Sequence, residues 1–455
     1  MLWTCEEAKR SQILQAFAPA LVATTSDASG RRFAFIICFL IFIVADIGLA
    51  LQTNYTALLV LRAVQSTGSS ATIALSMAVV ADIATSAERG QYIGWTSCGF
   101  LMGPSFGPLL GGVLAQYLGW RSIFWFLAIF TGAVLVLLLI LLPETCRQVV
   151  GNGSIPARGI ALSLLGYIQQ RRRATRESTQ EAQNQVTAVA TKKRSMWPNP
   201  IAVARILIDK ESSLLLVYNA ILFSGQMVIS ASLPSTLQKI YGYDELKVGL
   251  CFLPIGVGGL AASISLGYVT DWNFRRQARL AGLEIRKGRQ QDLRAFPLEK
   301  ARCQITLPNH VLSIAAMFAY GWVVQARTSI AGPEIVLFVL GFAIMGAFNA
   351  SNAFLIDLHR DSPATATAAV NLTRCLVSAG GVAVIVPMIN AMGEGWAFSV
   401  IGFIDIAMLP LLWVIMKWGP GWRTEKLEKE EKKKRRGAEE SRRQIGGGET
   451  GATSK

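Results

Sequence analysis

Long apolar runs alternate with short polar connectors along most of the chain. A helix needs about 20 apolar residues to cross the hydrocarbon core of a bilayer, and these runs are too apolar for amphipathic surface helices. Their Pro and Gly residues, which interrupt helices in water, are tolerated in membrane spans. We therefore predict an all-α polytopic membrane protein with ten spans: 33–52, 57–81, 92–118, 122–143, 213–237, 246–269, 306–326, 334–357, 366–391 and 397–416.

The beginning of the chain departs from this pattern. Residues 13–25 form an apolar run of 13, which is too short to cross a bilayer. Charged residues precede this run, where a complete span would need apolar side chains. We interpret residues 11–26 as the end of a span, and we expect its first part and one preceding helix to be missing because the chain is truncated at its N-terminus.

A formal net charge of +15 at first suggests a nucleic-acid-binding protein. The positions of the charges argue against such a partner, since 32 of the 44 Lys and Arg residues lie in three polar segments: 146–212, 271–304 and 417–455. Basic residues that concentrate in alternate loops follow the positive-inside rule. We predict that these segments and residues 27–32 are cytoplasmic, and that the lipid bilayer surrounds the apolar runs.

The polar segment 146–212 divides the apolar runs into two groups. Each group contains a basic turn that follows an aspartate, and the two turns are Asp27 with Arg31 and Arg32, and Asp271 with Arg275 and Arg276. Such a repeat is typical of secondary transporters built from two similar helical bundles. We predict an incomplete N-terminal bundle in 1–145, a central cytoplasmic loop in 146–212, a six-helix bundle in 213–416 and a basic cytoplasmic tail in 417–455.

Five short motifs occupy the spans and their ends: ATTSDASGRR at 23–32, LRAVQSTGSS at 61–70, GFLMGPSFGPLLGG at 99–112, LPETCR at 142–147 and GYVTDWNFRR at 267–276. Together they make residues 12–422 similar to the twelve-helix drug:proton antiporters of the major facilitator superfamily, most of all the fungal multidrug-resistance type. Two features depart from that family. Ala23 stands where the family usually has Gly, and we expect the first helix, which lines the central cavity in such transporters, to be absent.

The resemblance implies an H⁺-coupled exporter of drugs or other amphipathic organic compounds that works by alternating access. Its partners would be a small-molecule substrate and H⁺, and it would act as a monomer in the plasma membrane or the vacuolar membrane. Two alternatives remain: an uptake symporter or facilitator for sugars or other solutes, and a truncated relative that does not transport. The motif at 99–112 favours export, because in the family it accompanies antiport rather than uptake.

The sequence contains no pattern that indicates an enzyme. Its two histidines, His310 and His359, lack the spacing of a metal site, and there is no phosphate-binding GxxxxGKS/T loop, so ATP-driven pumping is not expected. We therefore predict no cofactor and no metal. Asn54 begins an Asn-Tyr-Thr sequence in a connector expected to face outward, and it is a candidate for N-glycosylation.

The span at 92–118 carries a stripe of glycines. Residues spaced by four share one face of a helix, and this stripe and its neighbours comprise Gly99, Gly103, Gly107 and Gly111 with Pro104, Pro108 and Gly112. A stripe of small residues lets another helix approach closely, and a matching stripe is formed by Gly259, Ser263 and Gly267. We predict that Gly103 and Gly107 contact another helix closely and form a hinge; a static packing seam is the alternative.

Charged residues at the ends of the spans are candidates for a cytoplasmic gate. Asp27 is expected to cap the N-terminus of a neighbouring helix, where the helix dipole favours a negative charge. Glu144 and Arg147 are expected to complete a charge network with Arg31 that holds the cytoplasmic side closed. For the arginines, the alternative is that they only keep their loops in the cytoplasm.

Ionisable residues within spans cost about 2.5–3.5 kcal/mol each on insertion scales and are therefore functional candidates. Arg62 and Asp46 are the candidates for proton coupling, in which a cation tunes a protonatable carboxylate. The alternatives are an Arg that extends to the membrane surface and a structural Asp; Asp405 is a similar case. Other polar residues are expected to line the cavity or to join helices: Gln65, Tyr218, Gln226, Asn349, Asn352, Asn371 and Arg374.

Overall fold

The computed structural model describes residues 29–85, 88–146, 200–283, 296–359 and 362–449, together with Pro19, Val22, Ser26 and Val150. All regular secondary structure in these residues is helical. Several predicted features lie outside the described residues. They are most of residues 11–26, which we interpret as the end of a span, Asp27, Arg147, and most of the segment 146–199.

The described part contains eleven helices: α1 Arg31–Leu51, α2 Tyr55–Ile83, α3 Arg89–Leu118, α4 Arg121–Leu141, α5 Pro200–Ile208, α6 Lys210–Tyr241, α7 Glu245–Leu250, α8 Leu253–Leu280, α9 Leu298–Gln325, α10 Ala331–Leu358 and α11 Pro363–Glu449. The last of these is interrupted at Gly393, whose φ of 82° and ψ of 167° are not helical. Glycine adopts a positive φ without the clash that a Cβ atom introduces. The chain therefore turns at Gly393, and a second long helix follows.

Eight helical stretches in the described part are long and apolar enough to cross a membrane. One of them, Pro363–Lys426, runs through Gly393 and contains two of the predicted spans. Another predicted span, 92–118, lies in α3, which includes the apolar stretch Leu109–Leu118. The prediction of an all-α membrane protein is confirmed, and each of the ten predicted runs overlaps a helix.

Large apolar side chains cover much of the outer surface of these helices. On α4, Ile129 is 71% exposed and Phe130 is 58% exposed, and on α1, Val44 is 67% exposed. Contiguous apolar surface is unfavourable in water but is compatible with hydrocarbon chains, provided that the backbone polar groups are paired within the helices. These helices therefore present one side to lipid and the other to the protein interior.

The backbones of α3 and α8 are in close contact near the beginning of α3. A Cβ atom added to Gly267 would lie 2.9 Å from the carbonyl oxygen of Gly90 and 3.2 Å from the Cα atom of Gln91, and one added to Gly94 would overlap the carbonyl oxygen of Ser263. Only glycine fits where two helices approach this closely. This crossing joins a helix that precedes the 146–212 segment to one that follows it.

The close contact predicted at Gly103 and Gly107 is not found among the described residues. The described residues have no heavy atom within 4 Å of a Cβ atom placed on any glycine of the 99–112 motif: Gly99, Gly103, Gly107, Gly111 and Gly112. The prediction named the right partner surface on α8 but placed the contact about two turns too far along α3. In the described residues, the closest backbone approach to α8 therefore lies at Gly90 and Gly94 rather than at Gly103 and Gly107.

Gly94→Leu should destabilise the folded protein, because the leucine side chain would force α3 away from α8. Overpacking of this kind costs about 1–3 kcal/mol, and more where the backbone cannot move. Gly103→Leu, on the same helix, is the matched control and should leave the unfolding temperature close to that of the wild type. Thermal unfolding in detergent micelles compares the variants, and an equal loss of stability in both would contradict this position for the crossing.

A polar cluster joins the beginning of α6, the end of α10 and α11 on the side of the basic loops. The Asp209 carboxylate accepts hydrogen bonds from the Ser212 hydroxyl at 2.6 Å and from the Lys426 ammonium at 3.2 Å, and Ser212 Oγ lies 2.7 Å from His359 Nε2. Burial, and to a lesser extent the charge of Lys426, lowers the pKa of His359 to about 4. His359 is therefore neutral in the folded protein near neutral pH.

This pKa makes the stability of the protein depend on pH. An unfolded histidine has a pKa of about 6.5, so below that pH the unfolded chain binds a proton that folded His359 does not bind. Stability consequently falls as the pH drops from about 6.5 toward 4. His359→Gln should remove about 1–2 kcal/mol of this loss at about pH 5. Unfolding temperatures at neutral pH and at about pH 5 test this, and an unchanged difference in the variant would exclude His359 as the cause.

Candidate functional site

A buried carboxylate ties α8 to the beginning of α3. Asp271 accepts hydrogen bonds from the backbone amides of Gly90 at 2.8 Å and Gln91 at 2.9 Å. These amides belong to the first turn of α3, where they have no partner within the helix and where the helix dipole favours a negative charge. The capping role expected of Asp27, which lies outside the described residues, is therefore performed in the second repeat by Asp271.

The two arginines of this second turn lie on the surface. Arg275 and Arg276 follow Asp271 on α8 and are both exposed. The Arg276 guanidinium lies 5.7 Å from the centre of the Trp272 ring. Exposed arginines at the end of a span also fit the alternative that they only keep their loop in the cytoplasm. Their part in a gate therefore stays a prediction.

Asp357, at the end of α10, binds two arginines at once. Arg302 of α9 donates to Oδ2 from Nε at 3.2 Å and from Nη2 at 2.7 Å, and Arg89 of α3 donates from Nη1 to Oδ1. All three side chains are buried. Buried charges are tolerated only when they are well paired and hydrogen-bonded. The bond from Arg89 therefore fastens α3 to α9 and α10 on the side of the basic loops.

The same pairing occurs earlier in the chain. Arg31 of α1 donates from Nε to Oδ2 of Asp82 on α2 at 3.0 Å, as Arg302 of α9 does to Asp357 on α10. Sequence reasoning misses Asp82, Asp357, Arg89 and Arg302 because charges at span ends look like ordinary loop residues. The internal repeat could have indicated them, because VADIA at 80–84 and LIDLH at 355–359 end corresponding spans and each contains an aspartate.

The side chain of Glu144 caps the N-terminus of α1 by binding its main-chain amides. The Glu144 carboxylate accepts hydrogen bonds from the backbone amides of Arg31 at 2.8 Å and Arg32 at 3.2 Å. The Arg32 guanidinium donates instead to the carbonyl oxygens of Leu142 at 2.8 Å and Leu139 at 2.7 Å. Glu144 and Arg31 are thus in contact, as expected, but the contact satisfies a helix N-terminus rather than a guanidinium.

Within the membrane, Gln65 links Asp46 of α1 to Arg62 of α2. The Gln65 amide donates a hydrogen bond to Asp46 Oδ1 and accepts one from Arg62 Nη1 at 3.1 Å. Asp46 is fully buried, and its Oδ2 atom has no hydrogen-bond partner among the described residues. The Arg62 guanidinium also lies 4.8 Å from the centre of the Phe124 ring. The three predicted residues therefore form one connected polar chain.

A second arginine lies near the middle of the membrane. Arg374 is about 16 Å from the beginning of α11 at 1.5 Å per residue, which is about half the thickness of the hydrocarbon core. Its Nε and Nη2 atoms donate to Asn371 Oδ1 at 3.0 Å and 2.7 Å. The guanidinium also lies 5.1 Å from the Phe100 ring of α3 and 4.7 Å from the Phe223 ring of α6. Arg374 therefore lies where α3, α6 and α11 meet.

Asn349 of α10 connects three helices through neutral hydrogen bonds. Its Oδ1 atom accepts from Ser97 of α3 at 2.8 Å, and its Nδ2 atom donates to Ser263 of α8 at 3.0 Å. Beside it lies a cavity of about 20 Å³, which is large enough for one water molecule. The polar residues that line it are Ser97, Asn349, Asn352, Thr367, Asn371 and Arg374. Four of the predicted cavity residues are thus brought together.

Tyr218 and Gln226 lie elsewhere on α6. Tyr218 is fully buried, with its ring 5.1 Å from the ring of His310 on α9, and Gln226 is buried as well. Neither lines the cavity beside Asn349. Asn54 caps α2, since its side-chain oxygen accepts a hydrogen bond from the Thr56 amide at 3.0 Å; its glycosylation stays a prediction.

Comparison with known proteins identifies the family to which this chain is similar. Residues 11–382 match the Major Facilitator Superfamily. MFS-type transporter phiD from Fungal sp. (strain ATCC 74256) is 42% identical over 420 residues, which cover 92% of this chain and 63% of that protein, so the chain spans less than two thirds of its length. Citrate exporter 1 from Aspergillus niger is 36% identical over 419 residues, which cover 90% of this chain and 78% of that protein.

A solved structure has the same fold. The human organic anion transporter MFSD10 (TETRAN) matches with a TM-score of 0.62 over 90% of this chain and 83% of that chain, at 18% sequence identity. A likeness at this level of identity concerns the fold alone. The family match, in contrast, covers most of the chain, and both fungal relatives are more than 30% identical to it. The chain therefore belongs to the Major Facilitator Superfamily.

Proposed function

We propose that the protein is a secondary transporter that exports drugs or other amphipathic organic compounds in exchange for protons, by alternating access. The observation that carries the proposal is the buried polar chain of Asp46, Gln65 and Arg62. A carboxylate kept in the membrane interior, where a charge is costly, usually has a partner or a task. Proton binding would neutralise Asp46, and its Oδ2 atom is available to receive the proton.

Coupling requires that the affinity for the proton differ between two states of the carrier. Asp46 lies on α1, whereas Gln65 and Arg62 lie on α2. A shift of one helix against the other would therefore change the distance between the guanidinium and the carboxylate. A closer guanidinium favours the charged carboxylate and so promotes proton release. Helix movement and proton release are linked in this way.

Alternating access also needs a contact that closes one side and that can be broken. On the side of the basic loops, Asp271 holds the first amides of α3, and Asp357 holds Arg89. Both contacts join helices before the 146–212 segment to helices after it. We take these two groups of helices as units that move against each other and whose helices also shift within each group, and these contacts as the gate on the side expected to be cytoplasmic.

Two observations support export over uptake. Residues 99–112 resemble the motif that accompanies antiport in this family, and one relative carries the name citrate exporter 1. The transporter would act as a monomer in the plasma membrane, with the vacuolar membrane as the alternative location.

Asp46→Asn should abolish proton-driven export while sparing substrate binding, because an amide of nearly the same size cannot carry the proton. The probes are naphthalene derivatives that are anionic, neutral or cationic. Their accumulation is measured in vesicles with an imposed pH gradient, and their binding is measured with protein in detergent. Asp405→Asn is the matched control, since Asp405 is also buried within a helix but belongs to α11.

Accumulation that persists in Asp46→Asn but disappears in Asp405→Asn would assign the proton to α11 instead of α1. Accumulation that continues after an uncoupler has collapsed the gradient would overturn the exchange with protons altogether.

Arg89→Gln should open the side of the basic loops more often. The variant removes the bond from α3 to Asp357, while Arg302 continues to neutralise that carboxylate. Opening is reported by Ala353→Cys, because Ala353 is fully buried in an apolar cluster with Ile93 of α3. A charged thiol reagent that does not cross membranes should modify this cysteine faster in Arg89→Gln than in the wild type.

The matched control for this measurement is Arg275→Gln, which removes an exposed arginine from the same side. Its modification rate should equal that of the wild type, after subtraction of the rate due to the native cysteines. If Arg89→Gln and Arg275→Gln react at the same rate, the contact with Asp357 is not a gate.

A further inference from the structure

Arg374 differs from Arg31 and Arg302, two buried arginines on the side of the basic loops, in the group that neutralises its charge. Arg31 binds the carboxylate of Asp82, and Arg302 binds that of Asp357. Arg374 is 6% exposed, and its hydrogen bonds go to the neutral side-chain oxygen of Asn371 and to the neighbouring Cys375 thiol, neither of which is a carboxylate. A buried cation without a carboxylate partner strongly favours the binding of an anion beside it.

The cavity beside Arg374 has the same electrostatic character. Arg374 is the one charged residue among those that line it in the described part of the chain, and the other polar lining groups are neutral amides and hydroxyls. Since charges interact strongly in a medium of low dielectric constant, a negative ligand would be attracted to this cavity and a positive one repelled.

The geometry of a guanidinium selects among anions. Its planar fork of N–H donors matches a carboxylate, which it binds through two parallel hydrogen bonds, and the hydrogen bonds to Asn371 use only the Nε and Nη2 atoms. The rest of the lining is largely apolar and includes Phe100, Phe348 and Met345. Such a lining suits a ligand with an apolar body rather than a small inorganic anion.

We propose that the transported substrates are organic carboxylates and that Arg374 binds their carboxylate group. This assignment rests on the proposed transport function, although binding itself is testable without transport. The cavity of about 20 Å³ is too small for such a compound. The Phe100 ring, which contacts Arg374 from α3, and the bond from Ser97 to Asn349 close it. Separation of α3 from α10 and α11 would widen the cavity, and the carboxylate would then replace the ring of Phe100 beside the guanidinium.

The first experiment measures equilibrium binding to the full chain in detergent by calorimetry. The probes are naphthaleneacetate and its uncharged analogue naphthaleneacetamide, which differ in charge but hardly in size. The wild type should prefer the anion. Arg374→Gln should weaken binding of the anion about 10- to 100-fold, the factor that corresponds to one hydrogen bond between charged groups, and leave binding of the amide unchanged. Arg374→Lys, which keeps the charge but loses the fork, should fall between the two.

A second variant keeps Arg374 in place and so guards against loss of folding. Asn371→Asp supplies an internal carboxylate at the atom that already accepts from Arg374, with almost no change in side-chain size. It should raise the unfolding temperature and abolish the preference for naphthaleneacetate. Retention of that preference in Asn371→Asp, or equal binding of the two probes by the wild type, would overturn the assignment.

Transport of the same probes separates this assignment from the proposed function. Gradient-driven export in vesicles without preference for the anion would support proton-coupled export and overturn the role of Arg374. Anion binding that depends on Arg374, without any gradient-driven export, would support the role of Arg374 and overturn the coupling to protons.

Discussion

A charge inside a membrane protein has to be compensated by nearby groups, since no bulk water is available to solvate it. The structure compensates its buried charges in three ways. Asp357 is paired with two arginines, Asp271 is held by the free amides of a helix N-terminus, and the amide of Gln65 connects Asp46 to Arg62. The kind of compensation indicates what each group can do, because a charge paired with other side chains can hold helices together and a partly compensated one can accept a proton or a ligand.

The proposed gate depends on a backbone contact as much as on charge. Asp271 reaches the amides of α3 only because Gly90 and Gly267 let the two helices touch, and a Cβ atom on Gly90 would lie 2.6 Å from the Asp271 carboxylate oxygen. The helix dipole, the free amides and the absent side chains therefore act at one place. Such a contact is strong when the helices are aligned and is lost quickly when they move apart, which suits a contact that must open and close.

Arg302 and Arg374 illustrate how position changes the role of one residue type. Arg302 lies at the end of a span, where Asp357 from a neighbouring helix meets it. Arg374 lies near the middle of the membrane, where it meets an asparagine oxygen and two aromatic rings. The first arrangement is complete in itself. The second shows no carboxylate partner among the described residues, and a transported anion is the partner that we propose for it.

The sequence by itself determined the spans, because crossing a bilayer requires only local length and apolar character. It also selected Asp46, Arg62 and Arg374, since an ionisable residue within a span is costly wherever the helices lie. Gln65 was recognisable as a polar residue in the same motif, but not as the bridge between Asp46 and Arg62, which requires that α1 and α2 pack in one particular register.

Only the tertiary structure decided which small residues touch and which charges meet. Glycines spaced by four occur along much of α3, and among the described residues the packing of α3 against α8 brings Gly90 and Gly94 into contact instead of Gly103 and Gly107. The pairing of Arg89 with Asp357 joins residues 268 positions apart. Such contacts depend on the relative placement of whole helices, and a pattern read along one helix cannot supply that placement.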